Sequence, residues 1–293
     1  MNKIIVGLGE ILWDVFPERK VLGGAPANFA YHVSQFGFNG YALSAVGDDF
    51  LGREIISSLE EKNLNYLIET TDYPTGTVQV TLSGAGIPLY EICENVAWDN
   101  IPFTNRTGNL ARSTAAVCFG SLAQRNKTSR ETIRKFLKTV PADCIKIFDI
   151  NLRQHFYSKS IIEESLEIAD VLKINDDEVK VIADLYGWNK MDEQEICIQL
   201  LKKFTLDIVV LTRGTDGSFV FNSEGTSYQP TPKVHVADTV GAGDSFTAAF
   251  IAAYMNGKLL TEAHQFAVEV SAYVCQQHGA MPKLADAHIE AFR

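Results

Sequence analysis

The chain has 293 residues, 46% hydrophobic and 21% charged, enough for one large α/β domain or a core carrying a smaller appendage. Its 26 basic and 36 acidic residues give a net charge of −10, which argues against sequence-independent nucleic-acid binding and against anionic membranes as partners. No stretch approaches the roughly 18 uninterrupted apolar residues of a membrane span, and five scattered cysteines without a CxxC pair read as reduced core residues.

In chain order, residues 3–8 form a short apolar strand ending at Gly9-Glu10. Gly7-Leu8-Gly9 hints at a dinucleotide fingerprint, but Leu12 stands where the third glycine should fall, so that reading fails. Glu10 and Asp14 interrupt the N-terminal apolar run and no small-residue cleavage site follows, so a signal peptide is not expected and the protein is read as cytoplasmic. Asp14 lies inside an apolar run, Ile11 to Phe16. Left unpaired in a core it would be costly, so it either faces solvent at a strand end or accepts hydrogen bonds from a bound hydroxyl compound.

Gly23-Gly24-Ala25-Pro26-Ala27-Asn28 then opens a helix with Phe29, Ala30, Val33 and Phe36 on one face and Gly37 as its stop. The paired glycines allow close backbone approach and Pro26 suits the first turn. Asn28 sits one turn inside, where its amide either reads a polyol or lies on an exposed face. Tyr41 to Val46 is a strand, and Asp48-Asp49 cap a helix reaching about Lys62.

Residues 64–106 lack a helical period. Short β-prone pieces around Val78 to Leu82 and Leu89 to Cys93, separated by Ser83-Gly84-Ala85-Gly86, suggest a small β appendage. Trp98, near its exit, either stacks on a sugar ring or packs in the core.

From residue 114 strand and helix alternate: strands Thr114 to Phe119, Ile145 to Asp149, Val171 to Ile174 and Ile208 to Thr212, with helices near 129–138, 161–168, 177–185 and 192–204. This implies a mostly parallel sheet covered on both faces, with ligands at the carboxyl ends of its strands. Those ends carry Asp149-Ile150-Asn151-Leu152-Arg153, Asn175-Asp176-Asp177-Glu178 and Thr212-Arg213-Gly214. Asn175 with Glu178 is also a capping-box arrangement, which accounts for both by itself. The six histidines show no HxxxH or HxH spacing, so no tightly held zinc is expected.

The C-terminal third is organised around Asp238-Thr239-Val240-Gly241-Ala242-Gly243-Asp244, a strand end and Gly-Ala-Gly turn running into a helix with Phe246, Ala249, Phe250, Ala253 and Tyr254 at helical spacing. Unpaired N–H groups at the helix start make an anion site. Asp244 sets a carboxylate beside them, which suits a base meeting both an anion and a proton donor, as in phosphoryl transfer to an alcohol. A second helix, about 262–277, and Gly279-Ala280-Met281-Pro282-Lys283 close the chain.

Taken together, the paired-glycine motif at 23–28 and the 238–244 motif, with Asn175-x-x-Glu178 and Thr212-x-Gly214 ordered between them, resemble the ribokinase-like sugar kinases of the phosphofructokinase B family over nearly the whole chain. The resemblance implies a ribokinase-like three-layer α/β/α core (1–10, 22–71 and 106–293) with a small β lid (11–21 and 72–105), and ATP-dependent phosphorylation of a sugar hydroxyl. On that pattern Asp244 is the general base and Gly241, Ala242 and Gly243 form the anion hole. Asp14, Gly24, Asn28, Trp98 and Arg153 would hold the sugar, and Thr212 and Gly214 the nucleotide phosphates. Asn175 and Glu178 would position Mg²⁺ through waters, and Asp238, Val240 and Gly279 would surround a monovalent cation such as K⁺. Ala25-Pro26-Ala27-Asn28, residues 97–101 and Asn151-Leu152-Arg153 look most like bacterial fructokinases, with a 2-keto-3-deoxygluconate kinase as the nearest alternative and a non-catalytic sugar sensor as the non-enzymatic one. Dimerisation through the lid is a further implication. Two departures are Ile150, where many relatives carry proline, and Lys283, where ribokinases use a small hydroxyl residue near the cation.

Overall fold

The computed structural model describes residues 3–82 and 88–293; the Ser83–Gly86 turn expected from the sequence lies outside them. Nine strands form one sheet: β1 (Ile4–Leu8), β4 (Asn39–Gly47), β5 (Asn65–Thr71), β8 (Thr114–Phe119), β9 (Ile145–Asp149), β10 (Val171–Asn175), β11 (Ile208–Thr212), β12 (Ser218–Asn222) and β13 (Gly225–Gln229). Their spatial order is β13-β12-β11-β10-β9-β8-β1-β4-β5, parallel throughout except for the antiparallel β12 and β13. Four more strands, β2 (Leu12–Val15), β3 (Lys20–Gly23), β6 (Thr77–Leu82) and β7 (Pro88–Ile92), make a separate sheet in the order β3-β2-β6-β7.

The period-2 alternation of buried strands sorts the core into two faces. Val6, Leu8, Val117, Phe119, Phe148, Leu172 and Leu211 face one way. They are covered by α4 (Lys127–Thr139), α5 (Lys159–Leu166), α6 (Asp176–Tyr186) and α7 (Glu193–Lys203). Ile5, Ala116, Ile147, Val171, Ile208 and Val210 face the other way, under α1 (Ala25–Gln35), α8 (Ala242–Met255), α9 (Leu260–Val274) and α10 (Asp286–Phe292). Helix α2 (Phe50–Glu61) packs on β4 and β5, and α3 (Asn105–Arg112) on α4. Among the described residues no helix is long and apolar enough to cross a membrane.

Helix α8 is nearly all-apolar because it is buried all round: Phe246, Ala249, Phe250 and Ala253 are at most 4% exposed. Tyr254, the last of that series, is 37% exposed, because the helix reaches the surface there. The sheet also extends beyond the expected strands, through the β12–β13 hairpin, whose exposed outer strand leaves only a weak apolar signal.

The connectivity positions the site. The chain leaves β1 to build β4 and β5 on one side, then returns to lay β8 on the other. That reversal leaves a crevice at the carboxyl ends of β1 and β8, where open α/β sheets receive ligands. The loop after β1 runs directly into β2 of the small sheet, which thereby borders the crevice.

Candidate active site

A cleft of about 430 Å³ lies at these strand ends, bounded by Leu12, Asp14, Val78 and Ile92 of the small sheet. From the large domain it is lined by Glu10, Gly24, Asn28, Arg153, Asn175, Thr212, Val240, Gly241, Gly243 and Asp244. Most of the residues singled out in the sequence therefore converge, although they span 230 positions from Asp14 to Asp244.

Gly24 shows why the paired-glycine motif belongs here. Its φ is 117°, and a Cβ would lie 2.4 Å from the carbonyl oxygen of Glu10, so only glycine lets α1 start against the β1–β2 loop. Asn28, one turn in, is 3% exposed rather than on a solvent face. Its Nδ2 donates to Asp244 Oδ2 at 2.7 Å. Burial, then the neighbouring charge of Asp149, raise the Asp244 carboxyl to about 6; Asn28, Lys173 and Arg153 pull the other way.

Gly241 caps α8 with φ 78°, a left-handed conformation, and a Cβ there would meet the Cα and carbonyl oxygen of Ala280 at 2.7 Å. Ala280 is held in turn. Its carbonyl accepts from Nε2 of the fully buried His32 at 2.9 Å. Burial lowers that imidazole to about 4, so it is neutral with the proton on Nε2. Asp244 thus sits in the first turn of α8 behind a fixed Gly241 cap, where the Ala242 N–H donates to the Thr239 carbonyl at 3.3 Å.

The cleft floor is a charge cluster. Lys173, on β10, is 7% exposed, with its ammonium 3.3 Å from Asp149 Oδ1. A Cβ on Gly243 would lie 3.2 Å from Lys173 Nζ, which places the ammonium against the Gly-Ala-Gly turn. Burial alone would favour the neutral amine, but Asp149, Glu178 and Asp244 outweigh it and raise the Lys173 pKa.

Glu178 is a strut. Its two oxygens accept from the backbone N–H groups of Leu152 and Asn175, both at 2.9 Å, while Asn175 Oδ1 caps the Glu178 N–H. It pins the β9 loop to the start of α6. Burial, above all, raises its carboxyl. Among the described residues no group of three or more His, Cys, Asp or Glu is placed to hold a metal ion directly. Asp149, Glu178 and Asp244 nonetheless outnumber Lys173, so a divalent cation arriving on a polyphosphate would meet a carboxylate-rich floor through its waters.

Asp14 is half-buried on β2, where burial raises its carboxyl to about 6 against the pull of Arg153. Arg153 is exposed at the cleft mouth, with Nη1 donating to the Leu152 carbonyl. Asp238 ties two loops: Oδ1 accepts from Val240 N–H at 3.0 Å and Oδ2 from Gly279 N–H at 3.1 Å. The ammonium-bearing Lys283 is exposed.

Ala242, Glu178, Asp238, Gly279, Gly214 and Trp98 fall outside the cleft lining; the first three are bonded to, or next in sequence to, residues that line it, and Gly279 is bonded to Asp238. Gly214 stands just past Thr212 in the turn to β12, with its carbonyl accepting from Thr231 Oγ1. Trp98 corrects the expectation of a sugar-stacking ring: it is fully buried in a turn packed on β4 and α4. Arg125 lies 4.1 Å over its ring and pairs with Asp99 through Nε at 2.7 Å and Nη2 at 2.8 Å, so the indole serves the core. Sequence reasoning gave no site role to Glu10, His32 or Lys173. A lysine inside the apolar strand Val-Leu-Lys-Ile-Asn was the available signal for the last.

The chain is similar to known proteins over nearly its whole length. An uncharacterized sugar kinase of Pyrococcus horikoshii is 29% identical over 94% of this chain and 91% of its own length. Its crystal structure superposes with a TM-score of 0.80, covering 95% of this chain and 94% of that one, and it has also been solved in complex with ATP. An ATP-dependent 6-phosphofructokinase of Thermoanaerobacterium thermosaccharolyticum is 29% identical over 92% of this chain and 83% of its own. A fructokinase of Vibrio alginolyticus is 27% identical, with 97% and 96% covered. The fold is ribokinase-like, with a large mostly parallel sheet and a small second sheet. The model of the pfkB family carbohydrate kinases matches residues 10–287, and the chain belongs to that family.

Proposed function

We propose that this carbohydrate kinase transfers the γ-phosphoryl group of ATP to a primary hydroxyl of a neutral sugar, fructose first among them, giving fructose 6-phosphate. The observation that carries the reading is Asp244 in the first turn of α8, hydrogen-bonded to Asn28 and set beside the Gly241–Gly243 turn. Asp244 accepts the hydroxyl proton as the sugar oxygen bonds to the γ-phosphorus and the bond to the ADP oxygen breaks. The N–H groups of the turn receive the charge on the transferring phosphoryl oxygens, at a few kcal/mol per well-aimed donor. Mg²⁺ bound with the nucleotide would neutralise phosphate charge; Asn175, Glu178 and their neighbours would orient its waters. Gly241→Ala is expected to strain the turn by about 1–3 kcal/mol and to lower kcat roughly 10²-fold by misdirecting those donors. Thermal melting and steady-state turnover read the two effects.

The cleft lining favours a neutral polyol. Glu10, Asp14 and Asp244 line it, with Lys173 committed to Asp149 on the floor and Arg153 at the mouth, a poor setting for a second phosphate on the sugar. The fructokinase-like motifs and the Vibrio alginolyticus relative point the same way. A 2-keto-3-deoxygluconate kinase is the second reading, because the exposed Arg153 at the cleft mouth offers a guanidinium to a carboxylate.

ADP release would be measured with Mg·ATP and fructose, ribose, 2-keto-3-deoxygluconate, adenosine or fructose 6-phosphate. Preference for fructose by kcat/KM is the expected result. Preference for another sugar would discard fructose, and sugar binding without turnover would make the protein a sensor. Because the base must be ionised, kcat/KM should fall as pH drops through about 6, where the Asp244 carboxyl takes its proton.

A further inference from the structure

Behind Asp244 the cleft floor opens into a second chamber of about 10 Å³, bordered by Glu10, Asp149, Asn151, Asp244 and Thr247. That is close to the least space one water occupies, and a buried water needs two to four polar partners. Partners are at hand. Glu10 is 3% exposed, and its Oε2 is buried without a hydrogen bond. Asp149 is 5% exposed; its Oδ1 ion-pairs with Lys173 but accepts no well-directed hydrogen bond. A buried acceptor left unsatisfied costs about 1–3 kcal/mol, so the chamber is a poor place for two dry carboxylates and a good one for a shared proton.

We propose that Glu10, through one water bridging this chamber, takes over the proton that Asp244 removes from the sugar hydroxyl. The inference rests on the phosphoryl-transfer reading above. The steps balance. The sugar O–H bond breaks and its proton joins an Asp244 oxygen, while the sugar oxygen bonds to the γ-phosphorus and ADP leaves. Asp244 then gives that proton to the water, which passes one of its own to Glu10 Oε2 and is regenerated. Glu10 releases the proton to solvent as products depart.

Burial raises both carboxyls toward neutrality, Glu10 to about 7 and Asp244 to about 6, so either can hold the proton near neutral pH. The groups facing Glu10 are its own backbone N–H and Arg153, which favour the carboxylate, and Asp244 and Asp149, which disfavour it. Cys118, on the chamber wall, is kept protonated by burial. Glu10 is thus a positioning residue for the proton; the sugar is met by Asp244. A practical consequence is that Asp244 is returned to its ionised form beside the new phosphate ester, which opposes the back reaction.

Two measurements test this, with Glu10→Gln as an isosteric variant that cannot receive a proton. In the first, kcat and kcat/KM of both proteins are followed from pH 5 to 9 with the sugar that the wild type turns over best. The expected result is a kcat about tenfold lower with KM for the sugar little changed. The acid limb should become a single step shifted to lower pH, because a coupled pair has lost one member and Asp244 a like-charged neighbour. A variant whose activity falls without any shift of the acid limb would assign Glu10 a structural role and overturn the proposal, as would unchanged kcat and profile. In the second, the side-chain carboxyl ¹³C resonance of Glu10 is titrated in the free protein. A midpoint near 7 that moves down in Asp244→Asn is expected; a midpoint below 5, or one insensitive to Asp244, would contradict the coupling. Since the titration needs no turnover, it fails separately from the kinase reading, whereas a wild type inert toward every sugar would sink both.

Discussion

Asp244→Asn is expected to lower kcat by at least about 10²-fold and as much as 10⁴-fold, the range a positioned base contributes, while sugar binding survives. Asparagine keeps the shape of the side chain and can still hydrogen-bond Asn28, but it cannot take the hydroxyl proton. The variant should not be less stable. Asp244 has a folded-state pKa of about 6, above its ordinary 3.8, so its contribution to stability is greatest below about pH 4 and is lost as pH rises through 6. At pH 8 the ionised carboxylate is held in place at a cost to the fold, and the neutral amide removes that cost. Melting at pH 8 should therefore be unchanged or higher in the variant, the expected signature of a site that gives up stability for chemistry. A lower melting temperature with a matching loss of activity would mean that Asp244 serves the fold instead.

Lys173→Met should have the largest effect on stability. Lys173 is buried beneath the Gly-Ala-Gly turn, and its ammonium offsets Asp149, Glu178 and Asp244 together. Removing one partner of a buried ion pair leaves uncompensated charge, a loss of about 3–5 kcal/mol. The other carboxyls respond in a defined direction: without the ammonium, Glu178 and Asp244 are raised further, so the acid limb of kcat/KM moves to higher pH. Asp149→Asn combined with Lys173→Met should recover part of the stability, because both charges leave together. Calorimetric melting of the two single variants and the double variant measures the coupling. Additive losses would show that the pair is not a unit.

How far the sequence led depended on where the determining contacts lie. Strands Thr114–Phe119, Ile145–Asp149 and Ile208–Thr212 fall where their short apolar runs and flanking turn residues place them. The capping box of Asn175 and Glu178 is also a local signal, and it is present in the structure. The second use of Glu178 is not local: its bond to Leu152 crosses from α6 to the β9 loop, and no spacing rule announces it. Asn28 is the clearer case. Taken alone it suits an exposed helical face, yet its partner lies 216 residues away, so its burial is fixed by tertiary packing. Trp98 went the other way: an aromatic where the β segment exits is more often core than a sugar platform, and Arg125, which decides the matter, is distant in sequence. Glu10 was visible only as an interruption in an apolar run. Its importance comes from the chamber that α8 and β9 close around it.

The central claim, phosphoryl transfer to a sugar hydroxyl, is tested most directly by ³¹P and ¹³C NMR of the purified protein with Mg·ATP and fructose. The account predicts stoichiometric ADP and one phosphomonoester, coupled to C6 of the sugar. ADP with inorganic phosphate and no sugar ester, or no consumption of ATP with any sugar of the panel, would contradict it.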